Sequence, residues 1–250
     1  MSDTANTANL ASAPLAESGD FDQRLKRLDE NRWLATRYAG EAGRPLLVAI
    51  YLLYHELARA LQAKEAMLGK IRIQWWRETV EQISTALEDP AKPVRRHDLS
   101  EELSRLLKER RDLIAPINEL IDAFDDIIDD HLRAGHEQTA EHEAKHLAAE
   151  AGLTRLAGRA LDPNLAGIKL DALSYCGEAH LATVAQLPDF ADRWVMARVA
   201  AEELPPHVWP AIVHLVADAP GGRSRSPFSR RYRIFKAMLI HRLGKRVEME

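Results

Sequence analysis

Two stretches of this 250-residue chain concentrate side chains able to hold a metal ion. DDIIDD, Asp125 to Asp130, sets Asp122, Asp126 and Asp130 on one helical face with Asp125 and Asp129 beside it. Carboxylates one turn apart can hold Mg²⁺ against a diphosphate, and like charges at that spacing destabilise a helix unless a cation offsets them. The plainer reading is an acidic, water-facing strip beside the apolar Leu120, Ile121, Phe124, Ile127 and Ile128. HEAKH, His142 to His146, has the pattern in which two His four apart bind zinc and the intervening Glu activates water. Lys145 inside the motif, Glu141 before it and the lack of an evident third ligand favour a solvated helix face.

Aromatic and basic segments form a second group. IRIQWWRETV carries Trp75 and Trp76, which point about 100 degrees apart on a helix, so one can enter the core while the other lines a cleft or packs under a neighbour. YLLYHEL places Tyr51, Tyr54 and His55 where a pocket would use them, although packing is the default for both segments. Near the C-terminus, RRYRIFKAMLIHRLGKR puts Ile234, Phe235, Met238, Leu239 and Leu243 on one stripe among Arg230, Arg231, Arg233, Arg242 and Arg246. Such a helix either lies on an anionic membrane surface or packs on the domain. Nothing resembles a P-loop, a dinucleotide fingerprint, a Ser nucleophile elbow or a Cys-His pair.

The elements that position these residues are helical. Apolar residues recur at three-to-four spacing between sparse breaks, which predicts an all-α fold. The spacing predicts helices over about 21–37, 45–64, 66–87, 99–111 (with Ser100 as a cap), 116–132, 139–161, 168–187, 206–217 and 230–243. Residues 1–20 read as a disordered leader, 21–217 as one helical domain, and 218–250 as a basic loop with an amphipathic helix. With 46% hydrophobic and 29% charged residues the composition is that of a soluble globular chain, and the single Cys176 suits a reducing cytoplasm. A net charge of −4 excludes a globally basic nucleic-acid binder, so no nucleic-acid partner is expected. No stretch reaches the roughly 20 apolar residues of a membrane span.

The run RWLATRYAGEAGRPLLVAIYLLYHELARAL, followed by MLGKIRIQWWRETVEQI, resembles the squalene/phytoene synthase family. Arg44 precedes the aromatic helix and the QWWR box follows at the family's distance; LIDAFDDIIDD and AEAGLTRLAGRAL extend the likeness, over roughly residues 21–195. The resemblance implies an isoprenoid-synthase-type bundle around an apolar cavity, for which Tyr51, Tyr54, His55, Arg59, Gln62, Trp75 and Trp76 are the candidate lining residues. Active members carry two aspartate-rich motifs that bind magnesium and neutralise a departing diphosphate. Here Ala58, Arg59 and Gln62 stand at the first motif, and Pro188 and Asp192, with Asp189 nearby, stand at the second. Replacing carboxylates by a set that includes an Arg repels Mg²⁺. No catalytic residue or cofactor is therefore assigned. The chain looks most like a branch of the family that includes the phytoene-synthase-like assembly factor of respiratory complex I. That likeness implies binding of an isoprenoid or other lipid, a respiratory-complex subunit as partner, and a cytoplasmic location with peripheral contact at the inner face of the membrane. The alternative is an active Mg-dependent prenyl-diphosphate transferase using Asp125, Asp126 and Asp129.

Overall fold

The computed structural model describes residues 18–134, 139–219 and 226–243; the described part of the chain is helical and contains no strand. α1 (Ser18–Leu28) and α2 (Glu30–Thr36) replace the single first helix that the spacing predicts. The break is at Asp29, whose backbone leaves the helical conformation and whose side chain caps α2 by accepting from the Arg32 N–H. α1 starts at Ser18, inside the stretch read as leader, and residues 1–17 of that stretch lie outside the described residues.

α3 (Gly40–Leu61) is buried continuously from Leu46 to Leu53, the mark of a helix surrounded by others. It begins five residues before Pro45, the expected first position. α4 (Ala66–Glu88) follows, crossing α3 where Gly69 comes so close that a Cβ there would meet the Ala60 carbonyl at 2.5 Å. α5 (Asp98–Leu107) has His97 at its N-cap position rather than Ser100, whose hydroxyl instead donates to the carbonyls of Arg95 and His97.

α6 (Ile114–Ala134) lies between α4 and α7 (Ala140–Leu161), and α7 runs along α8 (Ile168–Ala185). Small residues set that pairing: Gly158 faces Leu173, and Gly177 faces the backbone of Glu150 and Ala151. α9 (Phe190–Ala200), a helix the spacing does not predict, packs on α8. The expected helix over 206–217 is a 3-10 segment, Pro206–Ala211, and a short α10 (Leu215–Asp218), because Pro210 denies an α-helix its amide. α11 (Pro227–Ile240) docks on α10 and α2. Among the described residues no helix is long and apolar enough to cross a membrane.

Candidate functional site

Tyr51, Tyr54 and His55 project from α3 to a buried polar cluster at the bundle's centre. Its hub is Arg32, 4% exposed, which pairs with Glu150 of α7, 2% exposed, and donates to Asp29 at 3.1 Å. The Arg32 guanidinium carbon stands 5.5 Å from the Tyr51 ring and 5.0 Å from the Tyr54 ring. Tyr51 donates toward the Ala211 carbonyl, and His55 Nε2 lies 3.8 Å from Asp29. His214 of the α10 approach packs on His180 of α8 with ring centroids 4.8 Å apart.

Burial governs the protonation states. Burial opposes the charge on Arg32, but Glu150 and Asp29 outweigh it and raise its pKa further. Burial also acts to raise Asp29, yet the nearby His55 imidazole and the charge and backbone N–H of Arg32 hold its carboxyl far below the usual carboxylate range. Both phenols are pushed up, Tyr51 and Tyr54 alike, chiefly by burial. Burial lowers His180 and His214, and each is lowered again by Arg32. Both rings are therefore neutral at pH 7. Among the described residues neither ring nitrogen of His214 has a hydrogen-bond partner.

This cluster holds charge; it does not present it. Glu150, His180 and His214 come close enough for one ion, but Glu150 is the counter-ion of a fixed guanidinium, which would repel a second cation. Arg59 and Gln62, at the end of α3, are exposed, and Arg59 pairs with Glu56. With Ala58 beside them, no carboxylate stands where the first magnesium motif is expected. At the second, Asp189 accepts from Arg193 at 2.8 Å and Asp192 is exposed. The residues present do not fit a magnesium-diphosphate site.

The QWWR box works as a brace. Trp76 is buried; Trp75 is half-buried, its ring 4.9 Å from that of Trp76 and 5.6 Å from His97, with Arg95 over its other side. Arg77 reaches α6, donating to Asp122 at 2.6 Å and Asp125 at 3.0 Å. Lys70 lies 2.7 Å from both Asp125 and Asp129, and Lys145 lies 2.7 Å from Asp130. The acidic run is thus offset by protein cations from α4 and α7, while Asp126 stays exposed. Neither of two surface cavities uses the selected residues. The one of about 310 Å³ lies between α1 and α3, where Phe21, Pro45, Val48 and Ala49 form an apolar wall; Arg37 and Arg44 stand beside it with Asp22, which pairs with Arg44, and Glu102. The other is lined by α4 and the loop after it.

α11 divides the stripe read from sequence into two. Ile234, Ala237 and Leu243 are buried and Met238 packs against the core, whereas Phe228, Tyr232, Phe235 and Leu239 face outward at four-three-four spacing. Phe228 is 79% and Leu239 70% exposed. Arg230 and Arg231 reach Glu30, Arg233 turns inward to the Val216 carbonyl, and Arg242 is exposed.

Sequence reasoning missed Asp29, Arg32, Glu150, His180 and His214. A signal for two of them exists: Glu150 is the only charge in LAAEAGL and His214 the only polar residue in AIVHLVA. A lone polar group in an apolar run has to find an internal partner or remain neutral.

Residues 25–134 match the squalene/phytoene synthase family model. The all-α bundle is of the isoprenoid-synthase type. Neither a search of curated proteins nor one of solved structures gives a match.

Proposed function

We propose that this chain, similar to squalene/phytoene synthases over residues 25–134, is catalytically silent and works by binding: it takes up an isoprenoid or other amphiphilic lipid, sits on an anionic membrane surface, and assists assembly of a membrane respiratory complex. The outward face of α11 carries this reading. Four large apolar side chains project from one side of that helix while a separate set anchors it to the bundle, and Arg230, Arg231 and Lys236 flank the exposed stripe. Apolar insertion and attraction to anionic headgroups then act together. The cavity between α1 and α3 supports the lipid part of the reading, since its apolar wall suits an acyl or prenyl chain. Ala58, Arg59 and Gln62 support the silence, because they supply no carboxylate to a metal.

The test is co-sedimentation with phosphatidylcholine vesicles, with and without phosphatidylglycerol. The wild-type chain pellets with the anionic vesicles, and Phe228→Ser combined with Phe235→Ser and Leu239→Ser releases it. Incubation with farnesyl diphosphate and Mg²⁺ yields no head-to-head product; turnover to such a product, or equal pelleting of the triple variant, would sink the reading.

A further inference from the structure

HEAKH plays no part in that reading, and the fold supplies the third imidazole that the sequence does not reveal. Thr139 caps α7 by accepting from the His142 N–H at 3.1 Å, so the helix begins at the motif and sets His142 and His146 on one face. α6 packs against α7 and delivers His131, from its last turn, to the same face. His131 Nε2 lies 3.3 Å from His142 Nε2, and His146 Nε2 lies 3.1 Å from it. Zinc–nitrogen bonds of about 2.0–2.1 Å in a tetrahedron hold two ligand nitrogens about 3.3 Å apart. Two of the three nitrogen pairs already stand near that spacing, and the three ligand atoms all lie within 4.8 Å of one another.

The surroundings fit as well. Asp130 Oδ2 lies 3.2 Å from His142 Nδ1; with the proton donated there, His142 Nε2 keeps its lone pair for a metal. Lys145, which in the sequence argues against an ion, is held at 2.7 Å by Asp130 and 3.0 Å by Glu141.

We propose that His131, His142 and His146 bind one Zn²⁺, with Asp130 as the positioning carboxylate, and that the ion pins the end of α6 to the start of α7. An imidazole donor set selects zinc over magnesium or calcium.

The experiment is calorimetric titration of the untagged, EDTA-stripped full chain with zinc sulfate, with magnesium sulfate as the control. One Zn²⁺ per chain is expected, with no matching Mg²⁺ uptake. His131→Gln and His146→Gln each abolish binding, His207→Gln leaves it intact, and Asp130→Asn weakens it about 10–100-fold. Zinc binding that survives both His131→Gln and His146→Gln overturns the proposal, as does the absence of stoichiometric binding. Should those variants fail to fold, Co²⁺ added to the wild-type chain decides: an intense tetrahedral visible band supports the site and its absence overturns it.

Discussion

Arg32 and Glu150 form a buried ion pair, so removing one half is costly while replacing both by apolar side chains is nearly neutral. Glu150→Ala leaves a buried guanidinium with only Asp29 and costs about 3–5 kcal/mol. Arg32→Met with Glu150→Leu recovers most of that loss; urea unfolding of the three chains checks the order. The neutral histidines add a pH dependence. His180 and His214 are lowered from 6.5 in the folded chain, so below about pH 6.5 the unfolded chain binds more protons and stability falls as pH falls. Asp29, lowered from 3.8, contributes stability that is fully present above that value and is lost only as pH falls below it. Charging His214 places a cation beside Arg32 and His180, against which the Asp29 carboxylate compensates only in part. His214→Leu therefore flattens the decline in unfolding free energy between about pH 7 and pH 5. An unchanged slope in that variant would assign the acid sensitivity elsewhere.

Between elements, backbones approach closely at the small-residue seam of α7 and α8. A Cβ at Gly177 would stand 2.6 Å from the Glu150 carbonyl and 2.8 Å from the Ala151 Cα, both backbone atoms that cannot swing aside. Gly177→Ala costs about 1–3 kcal/mol by overpacking, more than the roughly 1 kcal/mol that Ala gains over Gly inside a helix. Gly152→Ala is the control, since its Cβ meets only an Arg155 nitrogen at 3.7 Å, and it stabilises by about 0.5–1 kcal/mol. Thermal melts of the two variants move in opposite directions. This seam lies in the segment whose small residues mark it in the sequence. Helix positions were legible for the same reason, since periodicity reports which face is buried. Boundaries set by tertiary contacts were not: α1 and α2 separate because Asp29 turns to Arg32, and Ser100 leaves the cap for two carbonyls. For the candidate site, spacing brought Tyr51, Tyr54 and His55 into view but not their hub. Arg32, Glu150 and His214 come from three distant segments, and His131 reaches HEAKH only through the α6–α7 packing. No local pattern encodes such meetings.

At the scale of the whole molecule, a net charge of −4 should repel an anionic bilayer, so any attachment has to be oriented. α11 supplies the orientation: among the described residues from 226 to 243 there are five arginines and lysines and no acid, and the apolar stripe lies on the same helix. Two of the arginines lean on Glu30, and Arg233 is turned inward, where burial lowers its pKa. Lys236 and Arg242 are then the cations with the freest reach to headgroups. Each basic residue near an anionic surface contributes about 1 kcal/mol, so Lys236→Gln with Arg242→Gln weakens vesicle binding by about 2 kcal/mol, roughly 30-fold. Raising the salt removes that same increment from the wild-type chain and little from the variant, because screening acts on exposed charge and not on inserted rings. Phe228→Ser with Phe235→Ser has the complementary signature, a loss of binding that persists at every salt concentration. If both pairs of substitutions show the same salt dependence, the two contributions do not come from one oriented face, and α11 is not the surface that meets the bilayer.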